Sequence, residues 1–208
     1  MQSKIGFTFA SAMRAFLRAD PDIILIGEMR DHETASIGIE ASLTGHLVLS
    51  TLHTNSAPET ITRLLDLGLD PVNFSDALLG VLAQRLMRTL CGKCKESYKP
   101  DEKELTHLIE QYGVEDFKTL GFVKEEIELS RAVGCEACGD SGYRGRTGVH
   151  ELLVGTHELQ SMIYKKADLT DLTAQAIKDG MRTLKQDGIH KIFQGLTDYE
   201  QLLRVVSQ

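Results

Sequence analysis

The sequence predicts an α/β protein built on a parallel sheet, continued by a metal-held lobe and a small helical subdomain. Three observations predict it. Short apolar runs at Ile23–Ile26 and Leu47–Leu52 alternate with stretches of helical periodicity up to about residue 88. Two C-x-x-C pairs, Cys91/Cys94 and Cys135/Cys138, then break that pattern. From Glu151 to Gln208 the periodicity is helical again, with glycines as separators. The expected organisation is an α/β core over 1–90, a tetracysteine lobe over 91–150 and a helical subdomain over 151–208.

Taken in order, Thr8 to Ala19 carries Phe9, Met13, Phe16 and Leu17 at helical spacing, and Asp20-Pro21 stops it. Ile23-Ile24-Leu25-Ile26 is all apolar with three β-branched residues, the mark of a strand expected to be buried on both faces. His32 to Leu43 is a helix, with Asp31 as cap and Gly45 just past its end. The second strand, Leu47 to Leu52, completes a right-handed parallel crossover. Ser56-Ala57-Pro58-Glu59 has the S-x-x-E capping form and opens a helix that ends at Gly68. A further helix is expected over Ser75–Thr89, where Leu78, Leu79, Leu82 and Leu86 share a face and Arg85 and Arg88 complement its C-terminus.

Within the lobe, Asp101 to Tyr112 reads as a helix, and Tyr143-Arg144-Gly145-Arg146 as a turn. Beyond it four helices are expected. The first carries Leu152, Leu159, Met162 and Ile163, and the second Leu169, Leu172, Ala176 and Ile177. The others cover Ile189–Phe193 and Asp198–Val206.

Composition narrows the functions. The chain has 208 residues, 42% hydrophobic and 25% charged, ordinary for a soluble globular protein. Its net charge of -7 speaks against a nucleic-acid partner or an anionic lipid surface. No apolar run approaches the ~18–20 residues of a bilayer span, and no basic-then-apolar leader opens the chain. Any membrane association is therefore expected to depend on a partner. In a chain without an export signal, paired C-x-x-C motifs read as a metal site before disulfides. Four thiolates match a closed, tetrahedral, structural Zn²⁺ at Cys91, Cys94, Cys135 and Cys138; free thiols or a redox dithiol are the alternative.

Glu28 stands where the first strand must end, and open parallel sheets bind ligands outside their carboxyl ends. A carboxylate there can hold Mg²⁺ or its waters, or orient a water that attacks a phosphoryl group. The complementary phosphate loop, G-x-x-x-x-G-K-[ST], appears nowhere in the sequence. His53 follows the second strand, at the same edge as Glu28, while His46 precedes it. Either histidine could donate to a phosphate or serve as a structural hydrogen-bonder. Arg14 and Arg18, four apart on one helix, could converge on a phosphate or form a solvated basic face.

The stretches Gly6-Phe7-Thr8-Phe9-Ala10, Asp20 to Asp31, Ala41 to His46, Ser50 to Asn55, Gly80 to Leu86, both C-x-x-C pairs and Gly142 to Gly148 occur in this order. Together they resemble the secretion-superfamily ATPases, in the branch that powers type II secretion and type IV pilus assembly. The resemblance implies a partial RecA-like P-loop NTPase core whose phosphate loop lies upstream of Met1. It makes Gly27 and Glu28 the Walker B equivalent, with Glu in place of the commoner Asp, and Thr44 to Asn55 the histidine box, with His46 and His53. Arg14 and Arg18 would make nucleotide or intersubunit contacts, and Arg30 would belong to the cofactor site.

The resemblance further implies ATP, Mg²⁺ and Zn²⁺ as cofactors and a homo-hexamer working on an inner-membrane platform protein. The enzyme would be cytoplasmic and peripheral at a bacterial inner membrane, and the chain alone would be inactive without Walker A. Two other readings stay open: a pilus-retraction-type ATPase, which generally lacks the cysteines, and a zinc-stabilised interaction module without nucleotide turnover.

Overall fold

The first helix and its stop signal are set locally, residue by residue. The structure, a computed structural model, describes residues 9–206. Gly6, Phe7 and Thr8, part of the first expected motif, lie outside them. Helix α1 (Phe9–Leu17) ends before Asp20, whose φ of 55° and following proline turn the chain. Strand β1 (Ile23–Ile26), helix α2 (His32–Leu43) and strand β2 (Leu47–Ser50) form the crossover. Helices α3 (Ala57–Asp66) and α4 (Pro71–Ala77) precede strand β3 (Gly80–Leu90). Then come β4 (Glu96–Tyr98), α5 (Glu102–Tyr112), α6 (Val114–Lys118), β5 (Leu129–Arg131) and β6 (Tyr143–Val154). The chain closes with α7 (His157–Tyr164), α8 (Leu169–Lys178), α9 (Leu184–Phe193) and α10 (Tyr199–Val206).

The described residues form two compact units. One comprises residues 9–81 and Leu152–Met181; the other comprises Leu82–Glu151 and residues 182–206. Both draw on the stretch after residue 151, and residue 90 falls inside the second unit, not between the two.

In the first unit β1 and β2 pair in parallel, Ile23 opposite Leu47 through Ile26 opposite Ser50. Asp31 caps α2 by accepting from the Thr34 amide at 2.8 Å. Gly38 lets α2 approach the sheet: a Cβ there would stand 2.6 Å from Met29 Cε and 3.1 Å from Ile26 Cδ1. The core between them comprises Met13, Ile24, Ile26, Ile37 and Ala41. The burial expected on both faces of β1 is corrected here. Ile24 and Ile26 are 7% and 1% exposed, but Ile23 and Leu25 are 60% and 75% exposed. Their register partners Leu47 and Leu49 are exposed too, because the helices of this unit cover only one face of a two-stranded sheet.

Ser56 caps α3 through the Glu59 amide, while the Glu59 carboxylate accepts from the Asn55 amide at 2.9 Å. Helix α3 packs with α8, and α4 with α2 and α7. The buried residues Leu159, Ile163, Leu172 and Ala176 supply the inner faces of α7 and α8.

The helix expected over Ser75–Thr89 is not formed. Helix α4 ends at Ala77, and Gly80–Leu90 is a strand paired with β6. Ala83 and Met87 point inward while Leu82 and Leu86 are exposed, so each face mixes apolar with polar residues and the two-residue period is masked. Gly80 is required by the pairing: a Cβ would lie 2.9 Å from the Leu153 carbonyl oxygen. Arg85 and Arg88 therefore sit on a strand, with the Arg88 guanidinium 5.8 Å from the Tyr143 ring centre. The expected turn at Tyr143–Arg146 and the expected helical position of Leu152 are both parts of β6, and α7 begins only after the Thr156 cap.

In the second unit β4 and β5 pair antiparallel, Tyr98 opposite Leu129. Helices α5 and α6 supply Leu108, Ile109, Tyr112 and Phe117 to a core shared with Met87, Val149 and the α9 residues Ile189 and Phe193. Thr183 and Gln186 form a reciprocal capping box at the start of α9. Gln186 Nε2 also donates to the Tyr112 carbonyl at 2.8 Å and to Asp116 Oδ2 at 3.0 Å. The turn after α9 is fastened by Lys95 Nζ to the Gly195 carbonyl (2.7 Å) and by Thr197 Oγ1 to the Arg88 carbonyl (2.8 Å). No helix of the described residues is long and apolar enough to cross a membrane.

Candidate nucleotide and metal sites

Parallel pairing carries β1 and β2 to the same edge, so the residues just past their carboxyl ends meet there. Gly27 and Glu28 come directly after β1; Thr51 and His53 come after β2. Glu28 Oε1 lies 2.7 Å from Arg30 Nε, and its Oε2 lies 3.2 Å from His53 Nε2. The Glu28 side chain is one-third exposed, whereas His53 is 81% exposed. The carboxylate is thus held at the sheet edge with cationic or donor groups on both oxygens, and remains open to solvent on its outer side. Such a group can orient water or a hydrated cation.

His46 is placed at the other end of β2. Its Nδ1 lies 2.9 Å from the Ala41 carbonyl oxygen and 3.2 Å from Thr44 Oγ1, against the C-terminal turn of α2. Arg14 lies on α1 and Arg18 just after it, both exposed; neither forms an ion pair with Glu28 among the described residues. The structure therefore brings together Gly27, Glu28, Arg30 and His53, places His46 at the opposite end of β2, and pairs Glu28 with neither Arg14 nor Arg18 among the described residues. Sequence reasoning passed over Thr51. Its hydroxyl donates to the Gly27 carbonyl at 2.6 Å, and its own carbonyl accepts from the Met29 amide at 3.1 Å. The sequence offered its place in the Ser50–Asn55 stretch, two residues before His53, but the expected second strand, Leu47 to Leu52, includes it, whereas β2 ends at Ser50.

The cysteines converge in the second unit. Cys91 follows β3, Cys94 ends the tight turn it opens, and Cys135 and Cys138 bracket a one-turn 3₁₀ segment. All four Sγ atoms lie within 4.8 Å of one another, with Cys94 to Cys138 at 3.9 Å and Cys135 to Cys138 at 3.8 Å. These separations exceed the ~2.05 Å of a disulfide and match the ~3.8 Å edge of a tetrahedron with ~2.3 Å metal–sulfur bonds.

Burial opposes ionisation at Cys138, but backbone amides of Cys135 (3.2 Å) and Gly142 (3.3 Å) donate to its sulfur and bring it down to about 6. Burial and the neighbouring thiols push Cys94 up to about 12. Four sulfurs at these separations, with two backbone amides aimed at Cys138, fit a site that a dication would complete. Gly142, at φ 77°, is demanded by this turn, since a Cβ would stand 2.6 Å from Ala132 Cβ.

Against known proteins, residues 1–204 match the family model described as Type II/IV secretion system protein. The chain is 48% identical over 201 residues to the type IV pilus assembly ATPase PilB of Thermus thermophilus, covering 95% of this chain and 21% of that protein. It is 46% identical over 209 residues to the type II secretion system ATPase E of Vibrio cholerae, covering 99% of this chain and 38% of that one. The chain thus spans well under half the length of these relatives. Among solved structures, the pilus retraction motor PilT with bound ADP superposes with a TM-score of 0.62 at 27% identity, over 95% of this chain and 43% of PilT. The α/β fold is therefore shared with that motor, and with a family match running from end to end the chain belongs to the type II/IV secretion system protein family.

Proposed function

We propose that the chain is the C-terminal part of a hexameric ATPase that couples ATP hydrolysis to type II protein secretion or type IV pilus assembly. The observation that carries this reading is Glu28, gripped by Arg30 and His53 at the carboxyl edge of β1 and β2. In this reading residues 1–90 belong to a RecA-like core, and Gly27 and Glu28 are its Walker B element. Glu28 orients the attacking water or holds a hydrated Mg²⁺, and His53 donates to the γ-phosphate and links its loss to motion. When bound, Mg²⁺ would neutralise developing phosphate charge. Arg14 and Arg18, exposed on the first helix, are suited to a phosphate or a neighbouring subunit, and His46 steadies the strand that carries His53.

Zinc is the metal proposed for Cys91, Cys94, Cys135 and Cys138, with a structural role, since four thiolates leave no position for water. The tetracysteine set also favours the assembly and secretion branch over a retraction motor. The machine would work in the cytoplasm, peripheral to the inner membrane, on a platform protein.

The phosphate-cradling loop must come from other polypeptide, because ATP is held by loop amides and a lysine. The 208-residue chain alone is accordingly expected to hydrolyse ATP negligibly. The test is steady-state ATP turnover of the chain carrying its native upstream sequence, with and without Glu28→Gln. Loss of turnover by about a hundredfold or more in the variant supports the assignment; turnover unchanged by Glu28→Gln overturns it.

A further inference from the structure

We propose that Thr51 is a positioning residue for Glu28, fixing the backbone on both sides of the carboxylate; this rests on the reading of Glu28 as the hydrolytic group. The Thr51 hydroxyl donates to the Gly27 carbonyl at 2.6 Å, and the Thr51 carbonyl accepts from the Met29 amide at 3.1 Å. The Gly27 carbonyl belongs to the peptide plane before Glu28, and the Met29 amide to the plane after it. Clamping both planes fixes φ and ψ of Glu28 itself, and with them the direction of its Cα–Cβ bond.

Packing and charge supply little of that restraint. Apart from its two chain neighbours, no described residue has a heavy atom within 4 Å of where a Cβ on Gly27 would stand, and glycine is the residue with the widest backbone freedom. The partners on the carboxylate, Arg30 and His53, extend from largely exposed side chains that move readily. Thr51 is exposed as well, but it alone of these residues is bonded to the backbone on both sides of Glu28, where Arg30 and His53 reach only the carboxylate. A hydrolytic carboxylate displaced by ~1 Å loses much of its effect, because orientation of the attacking group supplies a large share of catalysis.

The hydroxyl bond can be removed without changing shape. In the complete ATPase, Thr51→Val is expected to lower kcat about tenfold with KM for ATP changed less than about twofold, since Thr51 orients and does not bind. Thr51→Ser, which keeps the donor, is expected to stay within about twofold of the parent. In the 208-residue chain, a nuclear Overhauser contact between the His53 ring and the Glu28 side chain is expected in the parent and Thr51→Ser and lost in Thr51→Val. Thr51→Ala, which also lacks the hydroxyl, serves if the valine variant folds poorly. If Glu28→Gln abolishes turnover while Thr51→Val and Thr51→Ala leave kcat intact, the positioning role is overturned and the reading of Glu28 stands. If Glu28→Gln retains turnover, the reading beneath it falls.

Discussion

Cys94 and Cys138 lie 44 positions apart in the chain, yet their sulfurs stand 3.9 Å from each other. Between them runs a complete substructure, β4 through β5, whose helices enter the core of the second unit. The thiol cluster thus closes a long excursion, and the structural zinc proposed for it, worth on the order of 10 kcal/mol in small zinc peptides, would be ample to hold it.

Purified chain is expected to carry about one zinc per molecule, the complement of a closed four-thiolate site. Chelation should release that zinc with faster amide exchange at the two cysteine turns and in β4 and β5. Metal analysis before and after chelation, with hydrogen exchange, checks both. Cys135→Ser should reproduce the effect without chelator.

The hydrogen bonds of Gln186 to Tyr112 and Asp116 join α9 to the helices of the insert. Gln186→Ala removes these bonds together with half of the α9 capping box, leaving the Tyr112 carbonyl short of a partner. A loss of about 2–3 kcal/mol is expected, more than an exposed cap alone would cost. Urea denaturation followed by tyrosine fluorescence measures it.

The two faces of β1 should respond differently. Ile26 is 1% exposed and packs under α2, so Ile26→Ala should cost about 2–4 kcal/mol. Leu25, one residue earlier and 75% exposed, should lose less than about 0.5 kcal/mol on the same change. Equal losses at both positions would contradict one-sided burial of the sheet.

Burial, then the Arg182 and Lys191 charges, push His190 below its ordinary value of 6.5, against the opposing pull of Asp187. Its ring packs on Phe122, 6.2 Å between centres. Because the folded state takes up the proton less readily than the unfolded one, stability should be greatest above the unfolded value and decline as pH falls below about 6.5. His190→Gln should flatten this part of the profile. The comparison is the urea midpoint at pH 7.5 and 5.5 in parent and variant.

How far the sequence could be read depended on whether each signal was local. The β1–α2–β2 crossover, with its Asp31 cap and Gly45 stop, is written in consecutive residues, and so are the Ser56 and Asp101 caps. The meeting of Glu28 with His53 comes from two adjacent parallel strands ending at one edge. Strand β3 was illegible because Leu82 and Leu86 on its exposed face and Ala83 and Met87 on its inner face erase the polar–apolar alternation, leaving a spacing that equally suits a helix. The insert gave only one clear helix, α5; α6 has just 5 residues, and the reason for its Phe117 lies on α9, far along the chain. Thr51 and Gln186 were hidden for the same cause: each acts through a backbone group whose nearness is created by folding.

The helices of the insert also limit how the lobe can be re-engineered. Since α5 and α6 furnish Leu108, Ile109 and Phe117 to the interior, excising them would leave a hollow beside Ile189 and Phe193 instead of a trimmed appendage. Length can vary cheaply around Val123–Glu126, whose side chains face solvent. A reporter peptide or affinity handle grafted at Lys124–Glu126 would sit on the outside and leave the metal turns undisturbed.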